Sequence, residues 1–570
     1  MGKWVVTAAW PYINSVPHLG TILHLLGADI MTRFLRMLGE DVISVSGSDE
    51  HGTPIEVEAR RKNIDPRRLT DEAHSYIVKL LKRWRIELDN YSRTESEVHK
   101  QFVREFMLRL ESRGYIFTRK MVLPYCVRDR IFLPDRFVEG RCPRCGYPNA
   151  RGDQCENCGS LLDPLDLISP RCAICGSKPI LKETMHWFFD LKKLENPIRK
   201  WLEENKGLWD NVRNYSLNWI KEGLKPRSIT RDNEWGIEAP FEGAEGKTIY
   251  VWFEALLGYL SASKEVLEKR GRLFEEFWYD KNTKTIYFIG KDNIPFHAVI
   301  LPAMLIASDN RHPLPTVISS TEYLLYEGEK FSKSRRIGLW ADEALYILED
   351  PDYWRFSLVR MRPEERDTNF SWKEFMRIVN SELNDDIGNF IYRILSFIDR
   401  YFESRIPEPG EFDDIDREVI NSVKASYNGY IDKMLETRIK QASEYILEIA
   451  RTGNQYINRR APWDEIKRDH RRAGTTMYIA INIVAILTLT LYPITPGAAQ
   501  KIWAMIGFEE PIERTRYNRD NIFVVNSGRS IGKLEAPFKK LSQDFLARIS
   551  IIVEDARKKA QEDRPPHLRF

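Results

Sequence analysis

Cysteine is scarce and confined. The chain has 7 in 570 residues, and all lie between Cys126 and Cys175. This excludes a disulfide framework spread over the chain and points to one local metal-binding segment. An excess of one charge is missing as well. With 86 Lys and Arg against 83 Asp and Glu the net charge is +3, so nucleic acid can be held only by local basic patches. The candidate patches are Arg60, Arg61, Lys62, Arg67 and Arg68; Lys82, Arg83 and Arg85; and Arg459 and Arg460 with Lys467, Arg468, Arg471 and Arg472. Each alone reads first as a solvated face. Long apolar runs are also lacking. The one long run, Met477 to Tyr492, carries Asn482, Thr488 and Thr490 and stops at Pro493. It falls short of the ~20 residues that span a bilayer, so a buried helix of a bundle is expected. The N-terminus has no apolar stretch of signal-peptide length. A soluble, cytoplasmic protein without a membrane partner follows. No low-complexity tract and no repeat beyond the cysteine knuckles are present, and the length suggests three to four domains.

What is there begins with "KWVVTAA", a short buried strand. From about His18 the residues Ile22, Leu25, Leu26, Ile30, Phe34 and Leu38 recur at helical spacing, and Gly39 stops the run. "DVISVSG" is a second strand, so the segment is a strand–helix–strand unit of a parallel sheet. Helical segments run to about Gly114, and the cysteine-rich segment fills about 120–180. "KTIYFIGKDN" at 284–293 and "PTVISST" at 315–321 then read as buried strands. The sheet is thus interrupted by an insertion and resumed. From about 375 to 490 the pattern is helical, with Leu383, Ile387, Phe390, Ile394, Ile398 and Tyr401 on one face. The final stretch, "ARKKAQEDRPPHLRF", is polar and proline-containing and is expected to fray.

Three knuckles, "CPRCG", "CENCG" and "CAICG", each place two residues between cysteines and a glycine after the second. That turn aims two sulfurs at one ion, as tetrahedral zinc requires. Cys142, Cys145, Cys155 and Cys158 complete a four-thiolate site. Cys172 and Cys175 need partners, which Cys126 and Asp129 of "CVRD" supply as a nested second site. Neither has the open position of a catalytic metal; both fold the insertion.

His18, Leu19 and Gly20 follow a strand and open a helix, whose N-terminal N–H groups and dipole suit a phosphate. Gly20 lets a nucleotide approach the backbone. After "TVISS" stands "EKFSKSRR", where Lys330, Ser332, Lys333 and Ser334 can cradle a triphosphate. Alone each motif is weak; in this order and at strand ends they reinforce one another.

On these residues the chain resembles the class I aminoacyl-tRNA synthetases, whose signatures are written HIGH and KMSKS. "AAWPYINSVPHLG", "GSDEHGTPIE", "LKPRSITRDNEWG", "YVWFEALLGYL", "IGKDNIPFHAVILPA" and "NDDIGNFIYR" are similar to the methionyl-tRNA synthetase family of the archaeal and eukaryotic-cytosolic type. The resemblance runs over at least residues 4 to 470. Four departures stand out. Thr21 replaces the last His of HIGH; its hydroxyl can donate to a phosphate or ribose but carries no charge, and His24, one turn on, is the candidate to compensate. Phe331 replaces the Met of KMSKS and leaves both lysines. Trp10 and Leu256 stand where bacterial members have Leu and Pro.

The resemblance implies an α/β Rossmann-like catalytic domain in two halves, 1–115 and 231–325, around a zinc-knuckle connective insertion at 116–230. A KFSKS loop and stem-contact region at 326–375, an all-α anticodon-binding bundle at 376–550 and a tail at 551–570 follow. It implies methionine activation by ATP with Mg²⁺ and transfer to the 3′ end of tRNA(Met). His18, Lys330 and Lys333 are the expected catalytic residues, and Gly20, Thr21, Asp292, Ser332 and Ser334 join them in binding ATP. Ala9, Tyr12, Asp49, Trp252, Ala255, Tyr259, Phe296 and His297 form the expected methionine pocket, with Asp49 pairing the ammonium and Asn293 beside Asp292 on the adenosine side. Asn389, Arg393 and Trp463 are expected to read the CAU anticodon. Two rival readings are a synthetase for leucine, isoleucine or valine, which would carry a large editing domain between the signatures, and an inactive zinc-knuckle tRNA-binding relative, which Thr21 alone favours. With no appended barrel after the bundle, a monomer is expected, with a separate tRNA-binding protein as a possible partner.

Overall fold

The computed structural model describes residues 2–569 except 153, 154, 156, 159, 161 and 334. Its central sheet has five parallel strands: β1 (Lys3–Ala8), β2 (Asp41–Ser48), β3 (Asn90–Arg93), β4 (Lys284–Gly290) and β5 (Val317–Thr321). They lie in the order β5-β4-β1-β2-β3. Parallel strands are covered on both faces, which is why β1 and β4 are mostly apolar and β5, with the sequence VISST, is buried throughout, its hydroxyl residues included. The strand order departs in two directions from the β1–β4 pair. A crevice therefore opens at the carboxyl ends of those two strands, where such sheets bind ligands. Helix α1 (Leu19–Met37) leaves β1 there and packs on the sheet.

The insertion leaves and returns on two long antiparallel strands, Ile116–Cys126 and Ile180–Phe189, in register from Ile116↔Phe189 to Tyr125↔Ile180. At their far end lies a small three-stranded sheet; Cys172 ends one of its strands, Cys126 ends the first long strand, and the other cysteines lie outside the strands. The chain then re-enters the catalytic unit through α2 (Val251–Lys269), and β4 resumes the sheet.

Past β5 come α3 (Ala341–Ile347), α4 (Pro351–Arg360) and the bundle helices α5 (Asn389–Tyr401), α6 (Asp414–Leu435), α7 (Ile439–Arg460) and α8 (His470–Leu491). The long apolar run is α8, almost wholly buried within the bundle. Leu383, Ile387, Phe390, Ile394 and Ile398 face the core as their spacing implied. Tyr401 does not: it closes α5 and is exposed there, because the helix ends before its face is covered. Bundle and catalytic unit meet at a buried joint. The Arg355 guanidinium of α4 donates to Asp29 (2.6 Å) and to the carbonyls of Trp84 and Arg85 on one side, and to those of Pro493 and Ile494 on the other.

The polar C-terminal stretch does not fray. It forms α9 (Phe545–Asp563), which packs along α3. Arg564 pairs with Asp342 (2.7 Å) and Glu343 (3.0 Å), all three side chains buried. Arg557 donates to the carbonyl of Gly338 at 2.8 Å. A local reading of polarity could not see these partners, which lie some two hundred residues upstream.

Candidate active site

His18 is the N-cap of α1. Its Nδ1 accepts from the backbone N–H of Gly20 (3.1 Å) and Thr21 (3.2 Å). That fixes the tautomer: the proton sits on Nε2, 3.3 Å from the Thr21 hydroxyl. Burial pushes the His18 pKa down to about 4, so the ring is neutral at pH 7. Thr21 thus serves a neutral imidazole as acceptor and keeps its own proton free to donate. His24 does not supply the charge that Thr21 lacks. Its Nε2 lies 3.0 Å from the Thr321 hydroxyl, and burial pushes its pKa down to about 3.

The KFSKS loop reaches this turn directly. The Phe331 ring stacks on His18, centroids 4.4 Å apart and planes 11° off parallel. The N–H groups of Leu19 and Ala341 donate to the carbonyls of Leu339 and Pro17, tying the segments behind the stack. Lys333 Nζ donates to the Asn14 carbonyl (2.9 Å). Lys330 Nζ stands 4.6 Å over the Tyr323 ring, and the Tyr323 hydroxyl donates to Asp292 (2.7 Å). The loop from β5 thereby brings Lys330, Ser332 and Lys333 to α1 and Asp292; Ser334 lies outside the described residues.

Beside these loops lies a cleft of about 420 Å³, lined among others by Ala9, Tyr12, Thr21, His24, Asp49 and Trp252. Asp49 ends the crossing from β2, bound to the turn after β1 by Asp49 N–H to Pro11 (3.0 Å) and Ile13 N–H to Asp49 (3.1 Å). Asp49 is 5% exposed, and its Oδ1 has no hydrogen-bond partner. Burial and the nearby Glu254 charge push its pKa well above the usual carboxylate range. Such a group gains most from an arriving cation. Trp252 stacks on Phe296 (4.6 Å) at the rim. Tyr259 and His297 sit behind the lining rather than in it. The Tyr259 hydroxyl donates to His297 Nε2 (2.6 Å), while His297 Nδ1–H donates to the Asn293 carbonyl (3.0 Å). Ala255 and Phe296 are likewise outside the lining.

Several lining residues were assigned no role from the sequence, among them Trp10, Asp135, Arg136 and Arg231. Arg231 stands in the quoted "SITRDNEWG"; its guanidinium lies 3.6 Å over the Tyr250 ring and donates to Asp135 (3.0 Å). Nothing in the linear pattern of the insertion shows that it folds back on the cleft. Trp10 is a wedge. A Cβ added at Gly47 would lie 2.7 Å from its ring, and one at Gly258 2.6 Å from it; only glycines leave room for the indole.

On the bundle, Asn389 and Arg393 lie one turn apart on the exposed face of α5. Arg393 stands 5.7 Å over the ring of Trp463, which is 41% exposed and so is not a core residue. The two line a shallow groove of about 340 Å³; Asn389 lies outside it, bonded to Asp385 (3.1 Å). Much of the neighbouring basic patch is internally paired. Arg460 and Arg472 bind Asp416 (2.7 and 2.6 Å) and knit α6 to α7 and α8. The first patch behaves likewise, with Arg60, Lys62, Arg67 and Arg68 on Glu56, Glu58, Glu95 and Glu72.

All seven cysteines are free thiols in two groups. Cys142, Cys145, Cys155 and Cys158 form one, with sulfurs 3.9 Å (Cys142–Cys158) and 3.6 Å (Cys145–Cys155) apart. Metal–sulfur bonds of about 2.3 Å in a tetrahedron put sulfurs roughly 3.8 Å apart, so the set fits one ion. The other is Cys126, Cys172 and Cys175 with Asp129, whose carboxylate lies 3.3 and 3.1 Å from Cys126 and Cys172.

The family model described as tRNA synthetases class I (M) matches residues 4–395, and that described as the anticodon binding domain of methionyl tRNA ligase matches 406–550. A methionine–tRNA ligase of Ignicoccus hospitalis is 53% identical, covering 99% of this chain and 100% of its own length. That of Aeropyrum pernix is 54% identical, covering 100% of both. The fold is that of the Mycobacterium tuberculosis methionyl-tRNA synthetase solved in complex with methionyl-adenylate, at TM-score 0.78 and 25% identity, over 94% of this chain and 100% of that one. A catalytic half and an anticodon-domain half that match one family, in one order and along the whole length of its relatives, make the chain a member of the class I methionyl-tRNA synthetases.

Proposed function

We propose that the chain activates methionine with ATP and transfers it to the 3′-terminal ribose of tRNA(Met). In the first step a methionine carboxylate oxygen attacks the α-phosphorus and pyrophosphate leaves. In the second the ribose hydroxyl attacks the adenylate carbonyl, loses its proton, and AMP departs. The observation that carries this reading is the contact of the two signature loops, His18 on Phe331 at 4.4 Å, beside a cleft holding Asp49, whose Oδ1 has no hydrogen-bond partner.

Lys330 and Lys333 supply positive charge where negative charge builds on the phosphates, and His18 gives the Nε2–H of a neutral ring. Gly20, Thr21, Asp292 and Ser332 hold the rest of the nucleotide, and Mg²⁺ entering with it would offset its phosphate charge. Asp49 pairs the substrate ammonium. Ala9, Tyr12 and Trp252 enclose the thioether, for which aromatic rings are good partners, with Ala255, Phe296, Tyr259 and His297 bracing the wall from behind. Trp463 stacks on an anticodon base while Asn389 and Arg393 read base edges. The donor sets of the two cysteine groups fit structural zinc, which would fold the insertion. A cytoplasmic location fits this activity.

The test is amino-acid-dependent ATP–pyrophosphate exchange, run without tRNA for each standard amino acid. Exchange with methionine alone supports the reading. Exchange with another aliphatic amino acid keeps the reaction and overturns the specificity, and no exchange from folded, metal-loaded protein overturns the activity.

A further inference from the structure

Behind Asp49 lies a buried group that the scheme above leaves unused. His51, two residues on, is 1% exposed and held from both sides: Nδ1 lies 2.7 Å from Glu254 and Nε2 2.7 Å from Glu95. A neutral imidazole has a hydrogen on only one nitrogen, so two carboxylate partners require the imidazolium. Burial opposes that charge, yet the Glu254 and Glu95 carboxylates push the His51 pKa up to about 10. The two acids differ in their other support. Glu95 also takes Arg67 and Lys100, and the neighbouring Glu50 takes Arg93. Glu254 is 0% exposed, and among the described residues His51 is the one cation bonded to it. Glu254 stands on α2 beside Ala255 and two residues after Trp252, and its charge is felt at Asp49. The turn is fixed on its other side by Trp235. The indole N–H donates to the Glu50 carbonyl (2.7 Å), and the Gly52 N–H donates to the Trp235 carbonyl (3.3 Å).

We propose that His51 is a positioning residue for methionine: as a buried imidazolium it neutralises Glu254 and ties α2 to the turn after β2, leaving Asp49 as the open carboxylate that meets the substrate ammonium. This rests on the methionine-activating reading above. Without the cation, Glu254 is an uncompensated charge facing Asp49. The pair must then take up a proton or move apart, and either change spoils the ammonium site while the ATP loops are untouched.

The experiment measures the methionine Kd by calorimetry, with KM for methionine and for ATP in exchange, on wild type, H51Q, E254Q and H51Q/E254Q. H51Q is expected to weaken methionine binding roughly tenfold or more, as an unpaired buried charge costs, with KM for ATP held within about twofold. H51Q/E254Q is expected to recover most of that loss, because the uncompensated carboxylate is gone. A folded H51Q with wild-type methionine affinity overturns the proposal. So does a double variant no better than H51Q, or an equal rise in both KM values, which marks a general structural role. If H51Q fails to fold, the double variant decides: restored folding and methionine binding support the charge argument, and failure to restore them overturns it. Methionine binding with this variant pattern but no exchange sinks the functional reading alone, and a wild type that binds no methionine sinks both.

Discussion

In the cleft Asp49 is 5% exposed, with Glu254 and the His51 imidazolium close by. At the far end of the bundle Trp463 is 41% exposed, with Arg393 resting 5.7 Å above its ring. One region stores charge in the interior, where a small ligand can replace a proton or complete a pair. The other displays flat, solvated groups on rigid helices, where a large polyanion can lie. The difference follows from size. A small substrate can be engulfed, and low dielectric then magnifies each interaction with it. An anticodon loop cannot be engulfed, so stacking area and local cations do the recognising.

Acid should act most strongly on this contrast. His18, His24, His74, His99, His297 and His312 are held neutral by burial, their pKa values between about 3 and about 4 against an ordinary value near 6.5. The unfolded chain therefore binds protons that the folded chain refuses. Stability is intact above pH 6.5 and falls as pH drops from 6.5 toward 4. His51 has the opposite sign: its contribution is present below pH 6.5 and is lost as pH rises through about 10. Thermal melting across pH 4–10 should show a steep acid limb of several protons, and H51Q should flatten the alkaline limb. A melting temperature constant from pH 7 to 4 would deny that the interior excludes charge.

Next in size is a paired comparison of ion pairs. Arg564→Ala strips the buried Asp342 of its cation, leaves Glu343 only Arg557 at 3.8 Å, and should cost about 3–5 kcal/mol in denaturant unfolding. Arg451→Ala breaks the exposed pair with Asp386 and should cost at most about 1 kcal/mol. Similar losses in the two variants would erase the distinction between interior and surface charge. Lys333→Ala should slow exchange by roughly 10²–10³-fold, the usual cost of one lost electrostatic contact to a transition state, with tRNA affinity unchanged. Smallest is the surface site. Trp463→Ala should raise KM for tRNA by the equivalent of about 1–3 kcal/mol, one lost stacking partner, and leave methionine-dependent exchange at wild-type rate. Equal loss of both activities would refute the anticodon role.

Legibility in the sequence followed the range of the interaction concerned. The strands β1, β2, β4 and β5, helix α1 and the cysteine groups came from local pattern, because burial on both faces and two-residue spacing each write a short signature. β3, "NYSR", is polar and four residues long; only its neighbour β2 makes it a strand. The cleft was half legible. The resemblance named Asp49 and Trp252, but Arg231, Asp135 and Arg136 reach the cleft by the return of the insertion, a long-range event with no local mark. His51 stood in a quoted motif, yet its importance lies in Glu95 and Glu254, which no spacing links to it. The C-terminal helix was misjudged for the same reason: Arg564 looks solvated until Asp342 and Glu343 are beside it.

The Trp10 wedge also constrains the order of events in a lineage. With Gly47 and Gly258 both pressed on the indole, neither glycine can acquire a side chain while the tryptophan stands. A Trp10→Leu step opens a void that a later Gly258→Ala fills; the reverse order passes through a clash. Exchange of the wedge for a smaller residue must therefore begin at position 10, and it frees position 258 alone, since a Cβ at Gly47 would also lie 2.7 Å from the Ser92 carbonyl.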